Sequence, residues 1–200
     1  MKSALVRSSR STTEIRFVFK QQRSKIKDFA AEAKKTTVRY EGRTTVVYAG
    51  LGPEEELTRA AVCSAAAVAI RKVAELKRNT VALILADLPG NHDAAVEGAL
   101  LGAYGFTKYL SEKPHAVKRL DIVSDQLSAA EVRRLRITAE GVTLARDLVN
   151  DNAGVKHPEH LASVARDIGK SAAISVSILD EKQLRRQKLN LLYAVGQGAP

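Results

Sequence analysis

Two hundred residues, 45% of them hydrophobic, are enough for one α/β-sized core and exclude bulk disorder. The lone Cys63 excludes an intramolecular disulfide and fits a reducing compartment, and no apolar run nears the roughly 20 residues of a membrane-spanning helix. The net charge of +10 is uneven: residues 1–43 carry twelve Lys/Arg against four acids, the remainder twenty against eighteen.

The N-terminus, "MKSALVRSSRSTT", has arginine and serine and no acid, as transit peptides do, but it is short for one and has no apolar stretch of a secretory signal. The expectation there is a ragged terminus. Glu14–Lys20 alternates, with Ile15, Phe17 and Phe19 on one side, and predicts a strand. "IKDFAAEAKK" predicts a short helix or turn. "TTVRYEGRTTVVYAG" places two β-branched runs around Glu41-Gly42-Arg43, a hairpin signal.

The second run ends in Gly50-Leu51-Gly52-Pro53, before a helix. A dinucleotide fingerprint begins in that position, but residue 55 is Glu where the third glycine belongs. Glu54, Glu55 and Glu56, placed at the helix N-terminus, suit the helix dipole and would repel a pyrophosphate. The pair of glycines is therefore read as a structural turn.

In the helix that follows, Val62, Ala65, Ala69, Val73 and Leu76 form one stripe, with Cys63 a small core residue. Thr80–Asp87 is continuously apolar, as a central strand is. After Pro89-Gly90-Asn91 a helix should bury Val96, Ala99, Ala103, Phe106 and Leu110. Gly98 and Gly102, four apart, predict close approach to another element. Val117–Asp125 is the next strand. Ser128 and Glu131 form a capping box, and the long helix they open carries Val132, Leu135, Ala139, Val142, Ala145 and Val149 in one stripe.

Asn150-Asp151-Asn152-Ala153-Gly154 reads as a hinge, and Pro158 starts a helix running to about Gly169. "AISVSILD" predicts a strand, "EKQLRRQ" a short helix, and "LLYAVGQGAP" a strand entering a glycine loop. The order of elements predicts an α/β fold: a mixed, mostly parallel sheet with helices on both faces, then a long linker helix and a βαβ fragment. The expected organisation is an α/β domain over 1–127, linker helix and hinge over 128–154, and the start of a second domain over 155–200.

Candidate chemistry is sparse. His157-Pro-Glu-His160 invites a metal, but Pro158 leaves His157 outside the helix, and no cysteine or His-Glu-x-x-His is near. His92 and His115 stand apart. Asp147, Asp151 and Arg146 lie at a helix end with no second carboxylate placed to share acid–base work. There is no Gly-x-Ser-x-Gly and no P-loop. The basic segment could meet phosphates, an acidic partner or solvent; it lacks Arg/Gly repeats and aromatic interleaving.

"VYAGLGPEEELT", "EGALLGAYGFTKYLSEK", "ARDLVN", "HPEHLASVA" and "SILDEKQLRRQKLNLLYAVGQGAP" occur in one order and spacing. Through them, residues 44–200 resemble the N-terminal portion of the leucine aminopeptidase (cytosol aminopeptidase) family. Ala145–Asn150 and Ala194–Gly198 are the most specific. Departures are Asp151-Asn152-Ala153-Gly154 where the family often has Thr-Pro-Pro-Asn, Gly105 between Tyr104 and Phe106 where a basic residue is common, and Lys188-Leu189-Asn190 for a Met-Gly pair.

The resemblance implies a two-domain, cytoplasmic, hexameric metalloexopeptidase whose catalytic domain holds two divalent ions, zinc or manganese, and acts on peptide substrates. The family's metal motifs, Gly-Lys-Gly…Asp-x-Gly-Gly and Asn-Thr-Asp-Ala-Glu-Gly-Arg, do not occur here. No catalytic, cofactor-binding or metal-binding residue is therefore assigned, and the expected role is a non-catalytic one in assembly or regulation. The alternative is a stand-alone module whose basic segment meets nucleic acid, weakly. No membrane partner is expected.

Overall fold

The computed structural model of the protein describes residues 1–198 and, among these, every side chain but those of residues 23–25. Chain contacts divide it into two compact units, Met1–Ala145 and Arg146–Pro200.

The first unit is built on a six-stranded sheet of order β1-β6-β5-β2-β4-β3. The strands are β1 (Lys2–Val6), β2 (Thr13–Phe19), β3 (Thr36–Glu41), β4 (Thr44–Gly52), β5 (Thr80–Ile84) and β6 (Arg119–Val123). All neighbours are parallel except the β3–β4 hairpin. Glu41 pairs with Thr44, so Gly42 and Arg43 form a two-residue turn, with Gly42 at φ +59°. A glycine first in such a turn lets the twist of the two strands match.

The N-terminus corrects the expectation of a ragged end. Lys2–Val6 pairs along its length with Arg119–Val123 and forms the edge of the sheet. Edge strands are short and partly polar, so their alternation is faint in sequence.

Register sorts the side chains into faces. Leu5, Ile122, Leu83, Ile15 and Val47 stand level across the sheet, as do Phe17 and Ala49 on the same face. This face holds the main core, which it shares with Val62, Ala69 and Val73 of α1 (Arg59–Glu75), Val96 and Ala99 of α2 (His92–Gly102), and Val132 and Leu135 of α3 (Ala129–Asn150). Each large apolar side chain so buried contributes about 1.5–3 kcal/mol.

Gly98 and Gly102 meet the expected close approach, and the partner is α1. A Cβ on Gly98 would stand 2.1 Å from the Cys63 carbonyl oxygen, and one on Gly102 would stand 2.5 Å from the Ala67 Cα. The two backbones touch where side chains would otherwise separate them.

The opposite face is covered differently. The β1–β2 connection lies across it: Ser9 Oγ donates to the buried Asp121 carboxylate at 2.7 Å, and Ser11 Oγ donates to the carbonyls of Thr13 and Thr80. Under β2 and β4 a second, small cluster joins Val18 to Ile26, Ala31, Phe29 and Tyr48. The 26–35 segment that supplies it has no helix; it turns twice, with Asp28, Ala31 and Lys34 at positive φ.

Two further expectations need correction. The α2 stripe stops early: the helix ends at Gly102, Phe106 and Leu110 fall in the loop after it, and Leu110 is exposed. The three glutamates do not open α1. Glu54–Glu56 form a separate 3-10 turn, and α1 begins after Thr58, whose Oγ1 accepts from Ala61 N at 3.1 Å. The Ser128–Glu131 capping box at the start of α3 is present in both directions.

The second unit is helical. After the end of α3 come α4 (Pro158–Ala172), α5 (Glu181–Arg186) and α6 (Asn190–Gly196). The expected βαβ fragment is therefore corrected. Ile174–Leu179 belongs to no strand, and Leu191–Gly196 is helix. A period of two is only half of a strand; the other half is a partner to pair with, and the described residues of this unit offer none. The last two residues of the expected glycine loop, 199 and 200, lie outside the described residues.

Candidate functional site

Open α/β sheets bind ligands beyond the carboxyl ends of their strands. Here that end is closed. His92, buried at the start of α2, donates from Nε2 to the Leu88 carbonyl at 2.9 Å. Its Nδ1 then accepts from Ser124 Oγ at 2.8 Å, so the Leu88 carbonyl sets which ring nitrogen donates. Ser124 Oγ in turn accepts from the amides of Gln126 and Leu127 at 3.1 and 3.2 Å. The network ties the β5–α2 and β6–α3 loops together and leaves the imidazole no free nitrogen.

Outside that network Arg59 at the start of α1 pairs with both Asp93 and Glu97 of α2. Burial acts to raise the Asp93 carboxyl, but the hydrogen bond from Arg59 and the helix-start amides outweigh it and hold it below the usual carboxylate range. Cys63 is half-buried; burial and then nearby Glu97 push its thiol up, away from a reactive thiolate. His115 reaches the Arg78 carbonyl at 3.1 Å and anchors the loop before β6.

The glycines of the apparent dinucleotide turn are structural. A Cβ on Gly50 would stand 2.2 Å from the Glu32 carbonyl oxygen, and the amides of Gly50 and Gly52 donate to the carbonyls of Lys35 and Ala31. The 26–35 segment occupies the space a pyrophosphate would need.

In the second unit the His157 and His160 rings stand edge-on, 6.4 Å between centroids, with His157 Nδ1 3.0 Å from Glu159 Oε2. Both rings are partly exposed; His157 is the N-cap residue of α4 but makes no side-chain capping bond, and His160 lies in the helix's first turn. Asp151 N donates to the Asp147 carbonyl and Asp151 Oδ1 accepts from Asn152 N, as a helix end and its turn require. Among the described residues no group of three or more His, Cys, Asp or Glu could hold a metal ion. The two metals that the resemblance implies therefore do not fit the side chains present. No described helix is long and apolar enough to cross a membrane.

The geometry defines an α/β sheet domain with a closed carboxyl end, carrying a helical unit after its long third helix. Family models place it further. Residues 21–113 match the N-terminal domain of the cytosol aminopeptidase family, and residues 143–200 match its catalytic domain. The chain belongs to the cytosol aminopeptidase family.

A protein described as a probable cytosol aminopeptidase in Syntrophotalea carbinolica is 35% identical over 169 residues, covering 77% of this chain and 34% of that one. One from Mycobacterium marinum is 37% identical over 166 residues, covering 78% and 31%. The chain thus spans about a third of the length of these relatives. Among solved structures the bottromycin maturation enzyme BotP superposes with TM-score 0.76 at 27% identity, over 88% of this chain and 41% of its own. BotP has also been solved in complex with Mn. A mutant of tomato leucine aminopeptidase shares the fold, with TM-score 0.76 at 18% identity over 94% and 46%.

Proposed function

We propose that these residues are the N-terminal part of a metal-dependent leucyl aminopeptidase that removes N-terminal amino acids from peptides. The observation that carries the reading is the order of the two family matches, N-terminal domain then catalytic domain, along one chain. Residues 1–127 serve as the α/β domain, 128–154 as linker helix and hinge, and 155–200 as the opening of the peptidase domain. The whole enzyme is cytoplasmic, uses two divalent ions, zinc or manganese, and assembles as a hexamer. BotP's complex with Mn is in keeping with the metals. The residues at hand are non-catalytic and serve assembly or regulation, because neither family metal motif is among them. The alternative of a nucleic-acid-binding module gains no support from the comparisons.

Two assays test this. The pure 200-residue chain should not hydrolyse leucine p-nitroanilide with added zinc, manganese or cobalt; metal-stimulated turnover overturns the non-catalytic role. A chimera in which residues 1–200 replace the matching part of the Mycobacterium marinum relative should hydrolyse it. A soluble, correctly assembled but inactive chimera counts against the aminopeptidase reading.

A further inference from the structure

The amino ends of β2, β5 and β6 frame a cleft of about 770 Å³ on the face opposite the main core. Three separate segments supply its cations: Arg10 from the β1–β2 connection, Lys77 and Arg78 from the α1–β5 turn, and Arg119 from the start of β6. The single carboxylate in the lining, Asp121, is already spent. Its Oδ1 accepts from Arg119 Nε at 2.7 Å and its Oδ2 from Ser9 Oγ at 2.7 Å. The cleft therefore carries a formal surplus of positive charge. Arg78 is held by a 3.3 Å bond to Thr45 Oγ1, while the side chains of Arg10 and Lys77 make no hydrogen bond or ion pair among the described residues.

The backbone at the rim is set by the end of α1. Lys77 has φ +56°, at the position after α1 where glycine is favoured. Arg78 N bonds the Val73 carbonyl and Lys77 N the Ala74 carbonyl, so the left-handed residue is fixed by its turn. A lysine there costs stability that a glycine would not.

We infer that this cleft binds a small polyphosphate-bearing anion. Its volume exceeds that of one phosphate, and cations supplied from three segments suit a chain of charged oxygens. No aromatic side chain lines it, so no base is stacked and phosphate charge is the recognised feature. Ser8 and Thr12 add hydroxyl donors at the rim.

The probe is inorganic tripolyphosphate, titrated calorimetrically into the 200-residue chain at two salt concentrations. Binding should weaken with salt. Lys77→Gly removes the cation and relieves the strained backbone, so this variant should melt higher yet bind at least about fivefold more weakly. Arg10→Ala should weaken binding by a similar factor. Lys27→Ala and Lys35→Ala, which alter cations outside the cleft, should bind as the parent does. No binding of tripolyphosphate, equal binding by Lys77→Gly and Arg10→Ala, or equal losses in the two outside variants overturns the inference. So does binding confined to duplex DNA. None of these readouts depends on aminopeptidase activity.

Discussion

The two units treat their apolar residues in opposite ways. In Met1–Ala145, Ile15, Phe17, Leu83, Ile122 and Val96 are all buried to 2% exposure or less. In Arg146–Pro200, α4 buries only Gly169, α5 and α6 bury nothing, and Leu191, Leu192 and Val195 are 85%, 61% and 83% exposed. Leu161, Ile168 and Val176 are exposed as well. The second unit is held by local devices. Gly169 admits the returning Val176, Asp180 and Gln183 form a capping box, and Tyr193 accepts from Arg185 and Gln197. Amphipathic helices without a covered face draw little stability from propensity alone. One unit closes its own core; the other, which matches the family's catalytic domain, leaves apolar side chains exposed among its described residues.

Three substitutions probe how far that contrast goes. The largest effect belongs to the α1–α2 contact. Gly98→Val drives side-chain atoms into the Cys63 backbone and should cost about 3 kcal/mol, read as a fall in the main melting transition. A transition left in place would show that the first unit does not depend on this packing. Next, His92→Leu strips the Leu88 carbonyl and the Ser124 hydroxyl of their partner and should cost about 2 kcal/mol in urea unfolding. A loss under 0.5 kcal/mol, roughly the surface-substitution range, would mean the carboxyl end of the sheet is looser than its hydrogen bonds suggest.

The smallest effect is electrostatic. Asp93 is held below its unfolded value, so the stability its ionised form contributes is present above about pH 4 and is lost as the pH falls through the lower, folded value. Both partners are partly exposed, so Arg59→Ala should remove under about 1 kcal/mol at pH 7 and flatten that acid limb. An acid limb unchanged in the variant would assign it to other carboxylates.

Much of the first unit was legible because its signals are local. The Ile15–Phe17–Phe19 alternation, the Val62–Val73 stripe and the apolar Val81–Leu85 run each encode burial on known sides. The close approach at Gly98 was legible from glycine spacing, its partner was not. What failed depended on neighbours. Lys2–Val6 is a strand only because β6 lies beside it, and Ile174–Leu179 is not one because no described strand does. Phe106 and Leu110 continue a helical pattern after the helix has ended. The absence of an assigned site residue followed from missing motifs, whereas the basic cleft could not be read at all: Arg10, Lys77 and Arg119 are far apart in sequence and meet only through the sheet order.

Hydrogen exchange of the 200-residue chain tests the central contrast most directly. Amides that exchange only through global unfolding should be confined to the first unit, with Val81, Ala82 and Leu83 among the slowest. Those of Leu161–Ile168 in α4 and Tyr193–Gly196 in α6 should exchange many times faster under the same conditions. Equal protection of α4 and of β5 would contradict the account, because it would mean that the second unit has a core of its own.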